Sequence, residues 1–206
     1  MSLLLETIRC RNGVLENLKY HEERLNKSRE ILFNSTDRLS IMSFLSHYEI
    51  PKQGLYKCRI IYEQQFFNVE FDQYQRKEIS SIGIVYSDSI EYHHKFADRS
   101  KLQSLLEYSG KDEIIIVKNE LITDTSYSNI VFVLGTADSC DANSLITPRA
   151  PLLQGTQRQK LLDEKKIILG DVGVKDLVNF RGMILINSML AIGESPILPI
   201  SIVQLY

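Results

Sequence analysis

The stretch TPRAPLLQGTQR, residues 147–158, is the most informative one for the fold. A loop with two prolines leads into Gly155-Thr156-Gln157 at the start of a helix predicted over residues 155–165. The first N–H groups of a helix have no partners within it and carry partial positive charge, so a phosphate group binds well there. Glycine also lets a ligand approach the backbone closely. A plain helix start after such a loop has the same sequence features, so both interpretations stay open.

Polar residues occur at two further strand ends, one on each side of this stretch. Upstream, residues 122–129 (ITDTSYSN) hold hydroxyls, a carboxylate and an amide between two apolar segments. Such a run usually forms a turn, and the alternative is a polar wall that lines a cofactor. Downstream, Asn187-Ser188 ends a strand predicted over residues 182–187. A hydroxyl and an amide at that position either contact a phosphate or simply end the strand.

The N-terminal part begins with a hairpin signal that is followed by a helix. Asn12-Gly13 separates strand-like residues 3–10 from residues 14–16, and Asn-Gly is the strongest short hairpin signal. Residues 18–33 have helical spacing, which places His21 and Arg24 on one face. An arginine on that face can bind a phosphate through two parallel hydrogen bonds. The charged neighbours fit a solvated helix face equally well.

The next segments complete a first structural part. A second helix is predicted over residues 39–48, with Asp37 or Ser40 as its N-cap. Residues 55–62 and 66–71 alternate apolar and polar side chains, which is typical of paired, half-buried strands. Residues 74–81 are polar and form the best linker candidate.

A second part with buried strands follows the linker. Its predicted elements are apolar strands over residues 82–86, 114–117, 128–134 and 182–187, and helices over residues 100–108, 155–165 and 174–179. We therefore expect an α+β protein with an N-terminal domain over residues 1–73, a linker over 74–81 and a larger C-terminal domain over 82–206.

One lysine in this second part is a candidate for covalent chemistry. Lys95 lies in the segment YHHKFADR, residues 92–99, beside two histidines and an arginine. A lysine that forms a Schiff base needs an unprotonated amine, and burial or neighbouring cations lower the pKa of the amine accordingly. An ordinary surface lysine fits the segment as well, so the residues alone do not distinguish the two.

Composition narrows the class of protein. The 206 residues carry a net charge of −2, which gives no basic field to attract nucleic acid or an anionic membrane. The three cysteines form no CxxC pair, and with the four histidines they show no metal-ligand spacing. We expect a cytoplasmic protein without a metal, because the start MSLLLETIRC is not a secretory signal and no stretch matches a membrane helix.

In chain order, these segments resemble the class IV aminotransferases, the fold-type IV enzymes that use pyridoxal 5′-phosphate (PLP). The matching segments are ETIR (6–9) with the Asn12-Gly13 turn, HEERL (21–25), the lysine segment, DEIII (112–116), residues 122–129, Thr147-Pro148, LLQGTQR (152–158) and Asn187-Ser188. The resemblance covers nearly the whole chain, and the C-terminal half is its more specific part. It implies the two-domain fold of that family, PLP as cofactor, a small amino substrate and a homodimer.

The resemblance also implies a role for each candidate residue. Lys95 matches the lysine that holds PLP as a Schiff base and then acts as general base. Asp124 falls where the family usually has a glutamate against the pyridine nitrogen, and Ser128 and Asn129 belong to the same cofactor-binding run. Phosphate contacts are implied for Arg24, Gly155, Thr156, Gln157, Asn187 and Ser188. For the substrate, the candidates are Arg59, which matches a carboxylate-binding arginine of some members, and Arg99.

The chain departs from the family pattern in three places. It begins at about the strand that carries Glu6, without the family's usual first strand and Gly-Asp-Gly lead-in, so we expect an N-terminally short form. Aspartate replaces glutamate at position 124, which shortens the carboxylate side chain by one methylene. The helix after Lys95 is a few residues shorter than usual.

The resemblance favours a lyase reaction. Asn187-Ser188-Met189 is similar to the Asn-Ala-Leu or Asn-Ala-Met turn of the aminodeoxychorismate lyases, which yield 4-aminobenzoate and pyruvate. Branched-chain aminotransferases are the alternative, because Arg59 suits them. D-amino acid transaminases fit less well, since their carboxylate-binding tyrosine is replaced by Leu5. A PLP-binding homologue with little activity, and a structural protein without a cofactor, are the two remaining hypotheses.

Overall fold

The chain divides into two compact units in the computed structural model, which describes residues 3–135 and 144–204. Unit 1 contains the residues up to Arg76 together with His94–Asp98, and unit 2 contains Lys77–His93 and the residues from Arg99 onward. The segment that carries Lys95 therefore belongs to unit 1, although it follows the first strand of unit 2 in the chain. Cys140 and the outer ends of the predicted domains lie outside the described residues.

Unit 1 is built on an antiparallel sheet. Its elements are β1 (Leu4–Arg11), β2 (Val14–Leu15), β3 (Leu55–Tyr62) and β4 (Phe66–Gln73), in the spatial order β2-β1-β3-β4. Asn12 and Gly13, with φ angles of 49° and 83°, form the two-residue turn between β1 and β2. Both central residues of such a turn need positive φ, which explains why Asn-Gly occurs there. The predicted hairpin is confirmed.

Two helices accompany this sheet, and both follow from local signals. Helix α1 (Leu18–Phe33) has the predicted bounds, and Asn34, at φ 55°, ends it in the left-handed conformation. Helix α2 (Ile41–Leu45) is shorter than predicted, and Ser40 is its N-cap because its hydroxyl accepts a hydrogen bond from the Ser43 N–H. The alternative cap, Asp37, instead pairs with the buried Arg29 guanidinium at 2.8 Å.

The core of unit 1 uses one face of the sheet. The core residues of β1 and β3 lie at even-numbered positions, on one side of each strand, and residues of α1 and α2 pack with them; the set is Leu4, Ile8, Cys10, Leu25, Ile41, Leu45, Cys58, Ile60 and Tyr62. Glu6 has the same parity in β1 as these core residues and is fully buried. A carboxylate among apolar neighbours must be paired with other polar groups, as it is in this unit.

Unit 2 holds a second, larger sheet. Its strands are β5 (Ile82–Tyr86), β6 (Glu113–Lys118), β7 (Leu121–Thr125), β8 (Asn129–Leu134), β9 (Leu145–Pro148), β10 (Ile168–Gly170), β11 (Phe180–Ile186), β12 (Leu198–Pro199) and β13 (Val203–Gln204). The path through the sheet is β10-β9-β8-β7-β6-β5-β13, and β11 pairs with both β8 and β12. Strand β7 meets β8 at a single register pair, Asp124 with Asn129.

The other elements of unit 2 are helices α3 (Ser100–Ser109) and α4 (Thr156–Asp163) and a 3-10 helix over Val174–Asn179. The apolar runs predicted as strands are confirmed, and all four side chains of Ile114, Ile115, Ile116 and Val117 are fully buried. The prediction of a loop at residues 147–148 is wrong, because these residues form the end of β9. Strand β10 carries no alternating pattern, which explains why it was not predicted. No helix among the described residues is long and apolar enough to cross a membrane.

Candidate active site

A buried cluster of charged and polar side chains lies in unit 1, and we call Glu6, His21, Arg24 and Lys95 the Glu6 cluster. Arg24 donates from Nε to Glu6 Oε1 at 2.9 Å and from Nη2 to Glu6 Oε2 at 2.5 Å. His21 Nδ1 lies 2.6 Å from Glu6 Oε2. The side chains of Glu6 and His21 are 0% exposed, and that of Arg24 is 14% exposed. This is the geometry of a bidentate, charge-assisted pair with a histidine as third member.

Electrostatics fix the protonation states in this cluster. Burial by itself raises the pKa of Glu6, but the Arg24 charge and the His21 hydrogen bond outweigh it and lower the pKa to about 2. Burial lowers the pKa of His21, the Glu6 contacts oppose this, and the positive charges of Arg24 and Lys95 lower it further. Glu6 is therefore a carboxylate, which only accepts, so His21 Nδ1 carries the proton of a neutral ring.

The Lys95 segment is attached to unit 1 by backbone pairing with β1. Leu5 N–H donates to the Lys95 carbonyl and Ala97 N–H donates to the Leu3 carbonyl, both at 2.8 Å. Leu4 and Phe96 form an antiparallel bridge between these two bonds. The His94 ring contacts the Ser28 hydroxyl of α1 at 3.1 Å. Because the backbone of Lys95 is fixed against the strand that carries Glu6, the half-buried Lys95 side chain lies where its charge acts on His21.

A second buried group, which we call the Asp124 cluster, lies in unit 2 and contains Asp124, Asn129, Leu153, Gly155 and Arg158. Asp124 Oδ1 accepts from Asn129 Nδ2 at 2.7 Å, and Oδ2 accepts from the Leu153 N–H at 2.8 Å. Burial raises the pKa of Asp124 to about 6, although these hydrogen bonds and the Arg158 charge act in the opposite direction. The segment that carries Asp124 differs in part from the expected turn over residues 122–129. Strand β7 continues to Thr125, and the chain turns only after that residue.

The start of α4 is packed tightly against this carboxylate. Gly155 is the N-cap of α4, and Thr156 and Gln157, its first two residues, are buried. A Cβ atom on Gly155 would lie 1.9 Å from Asn129 Oδ1, so only glycine fits this position without displacing Asn129. Arg158 extends from the same turn and donates to the Pro148 carbonyl at 2.8 Å. The helix start that the sequence singled out is thus joined to Asp124 through Asn129.

The end of β11 is joined to the turn after β7. Asn187 Nδ2 donates to the Ser128 hydroxyl at 2.9 Å, and Asn187 Oδ1 accepts from the Met189 and Leu190 N–H groups. Asn187 and Leu190 also bond through their backbones, so Ser188 is the second residue of a tight turn. The structure thus brings Ser128, Asn129, Asp124, Gly155 and Asn187-Ser188 together within unit 2.

The two candidate substrate arginines lie elsewhere. Arg59 projects from β3 on the face opposite the unit 1 core, is 38% exposed, and lies 3.5 Å from Glu70 and 3.7 Å from Asp72. Arg99 precedes α3 in unit 2 and donates to the Ser126 carbonyl. Both guanidinium groups therefore already contact protein oxygens.

Two buried carboxylates, Glu6 and Glu113, were given no role by the sequence. Glu6 was part of a matching segment but had no role, because its partners are 15 and 18 residues away in another element. Glu113 is fully buried at the start of β6, and its Oε1 accepts from the Ser126 N–H at 2.9 Å. The sequence placed Glu113 in the matching segment DEIII, before an apolar strand, but indicated no role for it. Among residues 3–135 and 144–204, no group of His, Cys, Asp and Glu could hold a metal ion.

The chain is similar to proteins of known sequence and structure along nearly all of its length. It is 36% identical over 189 residues to an uncharacterised protein of Haemophilus influenzae, and the match covers 90% of this chain and 97% of that protein. It is 33% identical to a protein of Haemophilus somnus 129pt that is provisionally named a 4-amino-4-deoxychorismate lyase. That crystal structure matches with a TM-score of 0.79 over 93% of this chain and 98% of the other.

A more distant structure has the same fold. The fold IV-transaminase CpuTA1 from Curtobacterium pusillum, at 14% identity, matches with a TM-score of 0.69 over 99% of this chain and 76% of that protein. No family model matches the sequence. The mixed α/β architecture with its two sheets, and the 33% identity over nearly the full length of the Haemophilus somnus protein, agree with the resemblance in the sequence. The chain is therefore an enzyme that belongs to the class IV aminotransferase family, the fold-type IV enzymes that use pyridoxal 5′-phosphate.

Proposed function

We propose that this enzyme binds PLP covalently on Lys95 and catalyses a lyase reaction of the 4-amino-4-deoxychorismate type. The observation that carries the reaction type is the match to the Haemophilus somnus protein over 98% of its length. The turn at Asn187-Ser188-Met189 supports the same branch, because it is similar to the turn of the aminodeoxychorismate lyases.

The residues present fit the chemical groups of PLP. An aldehyde needs an amine, and Lys95 supplies one beside a buried, neutral histidine. A protonated pyridine nitrogen needs a buried carboxylate, and Asp124, which accepts from Asn129 and from the Leu152 and Leu153 N–H groups, still has acceptor capacity left. A phosphate needs fixed donors, and the Arg24 guanidinium and the glycine-capped start of α4 are groups of that kind.

Each residue then has a proposed task. Lys95 would hold the cofactor, and its amine is the group that would remove and return a proton at the substrate carbon. Asp124 would keep the pyridine nitrogen of the cofactor protonated, while Asn129, which donates to Asp124, orients this carboxylate. The candidates for binding the phosphate are Arg24 in unit 1 and, in unit 2, Gly155, Thr156, Gln157, Asn187 and Ser188, with Ser128 supporting Asn187. When bound, PLP supplies an electron sink for the charge that develops on the substrate.

The lyase reaction balances without a further reactant. The ether C–O bond to the enolpyruvyl group breaks, the ring loses a proton and becomes aromatic, and the side chain takes up a proton and leaves as pyruvate. The products are 4-aminobenzoate and pyruvate. A general base on the reacting face is the one protein group that this step requires, and Lys95 is the candidate.

Branched-chain aminotransferase activity is the alternative, and Arg59 is the residue that favours it. Arg59 and Arg99 are then the candidates for the substrate carboxylate, although each now contacts protein oxygens. A PLP-binding protein with little turnover is a further alternative. By analogy with the family, we also propose that the enzyme is a cytoplasmic homodimer. Light scattering at micromolar concentration tests the dimer directly.

One experiment separates these functions. The purified full chain is mixed with PLP, treated with borohydride, digested and analysed by mass spectrometry, with Lys95→Ala as control. We expect the reduced adduct on Lys95 alone, and a chain that takes up no PLP would rule out the cofactor proposal. In parallel, release of 4-aminobenzoate from 4-amino-4-deoxychorismate is measured beside transamination of branched-chain amino acids. Transamination without release of 4-aminobenzoate would reverse the assignment. The absence of both reactions would favour the low-activity alternative.

A further inference from the structure

The bond pattern within the Glu6 cluster assigns a task to a residue that touches neither the proposed cofactor nor the substrate. Glu6 holds two of the five guanidinium N–H donors of Arg24, one on Nε and one on Nη2. A guanidinium is planar and rigid, so two bonds to one carboxylate fix both its plane and the direction of its other three donors. Glu6 thereby determines where Arg24 can donate.

Glu6 can do this because it is itself held firmly. It lies in β1, paired with Ile60 of β3, and its side chain has no exposure to solvent. His21 contacts Oε2 from the same helix that carries Arg24, one turn away. The carboxylate therefore links the sheet to one face of α1, and Arg24 has little freedom to rotate away from it.

The charge balance makes direction matter more than net charge. Glu6 is ionised and Arg24 is positive, so the pair is neutral overall, and the His21 ring beside it is neutral too. A phosphate approaching Arg24 gains little from long-range attraction to such a pair. Its affinity instead depends on short hydrogen bonds to donors that already point the right way.

We propose that Glu6 is a positioning residue for phosphate recognition, which holds Arg24 in the one orientation that distinguishes PLP from its phosphate-free form, pyridoxal. The inference rests on the proposed function, since it takes PLP as the ligand and Arg24 as one of its phosphate contacts. If the Glu6–Arg24 pair only stabilised unit 1, its loss would weaken the binding of PLP and of pyridoxal by the same factor.

The test is the ratio of dissociation constants for pyridoxal and PLP, measured by absorbance titration of the full chain. Both ligands carry the same pyridine ring and can form the same Schiff base, so a change of this ratio between variants isolates the contribution of the phosphate. For Glu6→Gln we expect the ratio to fall about tenfold, because a misdirected guanidinium loses a charge-assisted bond. Glu23→Gln, an exposed position on the same helix, should leave the ratio unchanged.

A second variant keeps the test valid if Glu6→Gln does not fold. Arg24→Lys retains the positive charge but has no planar fork, so it should lose phosphate selectivity by a similar factor. In an Arg24→Met background, Glu6→Gln should cause no further change, because there is no guanidinium left to orient.

The outcomes separate this inference from the proposed function. Wild-type protein that binds no PLP would remove both. Wild-type protein that selects PLP, with Glu6→Gln keeping the same ratio or weakening both ligands by one factor, would overturn the positioning role alone. Full selectivity in Arg24→Lys would also overturn it.

Discussion

The Asn129 carboxamide occupies the space that a side chain at position 155 would need, with its Oδ1 atom 1.9 Å from an ideal Cβ on Gly155. Asn129 cannot easily move away, because its Nδ2 donates both to Asp124 and to the Leu153 carbonyl. The backbone of Gly155, at φ −70° and ψ 141°, is one that alanine adopts without strain. Glycine is thus required here by its neighbour and not by its backbone conformation.

Gly155→Ala should therefore act by displacing Asn129. We expect a loss of about 2 kcal/mol in the free energy of unfolding, together with weaker PLP binding, because the Asn129–Asp124 bond breaks. In an Asn129→Ala background the same substitution should cost little, since the clash is gone. Gly173→Ala, where a Cβ meets its nearest atom at 3.4 Å, is the matched control. Equal costs of Gly155→Ala in both backgrounds would contradict this account.

Asp124 should make the stability of the PLP-free protein depend on pH. Its pKa is raised from 3.8 to about 6 in the folded chain, so the folded state binds more protons than the unfolded state between these values. Stability is then lost as the pH rises through this window, by about 3 kcal/mol if the whole shift is expressed. Urea unfolding of wild type and Asp124→Asn from pH 4 to pH 7 measures this difference. Parallel pH curves would show that Asp124 is not buried as described.

Glu6 should make the stability of the folded chain fall as the pH is lowered, which is the opposite of the Asp124 effect. Its pKa of about 2 lies below the ordinary value of 4.5, so the stabilising effect is fully present above pH 4.5 and is lost as the pH falls toward 2. Relative to Glu6→Gln, wild type should lose about 3 kcal/mol over that range. Circular dichroism during acid titration provides the measurement. The exposed variant Glu23→Gln should follow the wild-type curve, and the prediction fails if Glu6→Gln does so as well.

Glu113 gives a fourth prediction. Its Oε1 accepts from the Ile114 and Ser126 N–H groups, whereas Oε2 is buried with no hydrogen-bond partner among the described residues. Burial raises the pKa of Glu113, against the effect of these bonds, so ionisation destabilises the folded chain as the pH rises. Glu113→Gln keeps the Oε1 acceptor without the charge. It should be more stable than wild type at pH 8 and lose that advantage near pH 4, as measured by thermal unfolding.

Local signals in the sequence predicted most of the elements. Asn12-Gly13 and the spacing of residues 18–33 depend on neighbours within a few positions, so the hairpin and α1 could be predicted closely. Strands β9 and β10 could not, because their pairing of Ile146 with Ile168 joins short segments with no alternating pattern.

The hydrogen-bond partners of the candidate site residues could not be predicted from the sequence. The sequence singled out Arg24, Asp124 and Gly155, but not the Glu6 carboxylate that holds Arg24 or the position of Asn129, which donates to Asp124 and packs against Gly155. The attachment of Lys95 to β1 involves Leu5, 90 positions earlier in the chain, through backbone groups. Side-chain patterns carry no information about such a contact.

The division of the chain has a consequence for engineering this enzyme. The backbone enters unit 2 after Arg76, returns at His94 and leaves again after Asp98, so three peptide connections join the units. A C-terminal fragment that begins after the linker would keep Lys95 but lose β1, the strand to which the Lys95 backbone is hydrogen-bonded. Lys95 and its supporting strand must therefore be transplanted together, and a chimera that exchanges only residues 82–206 would separate Lys95 from the strand that holds its own backbone.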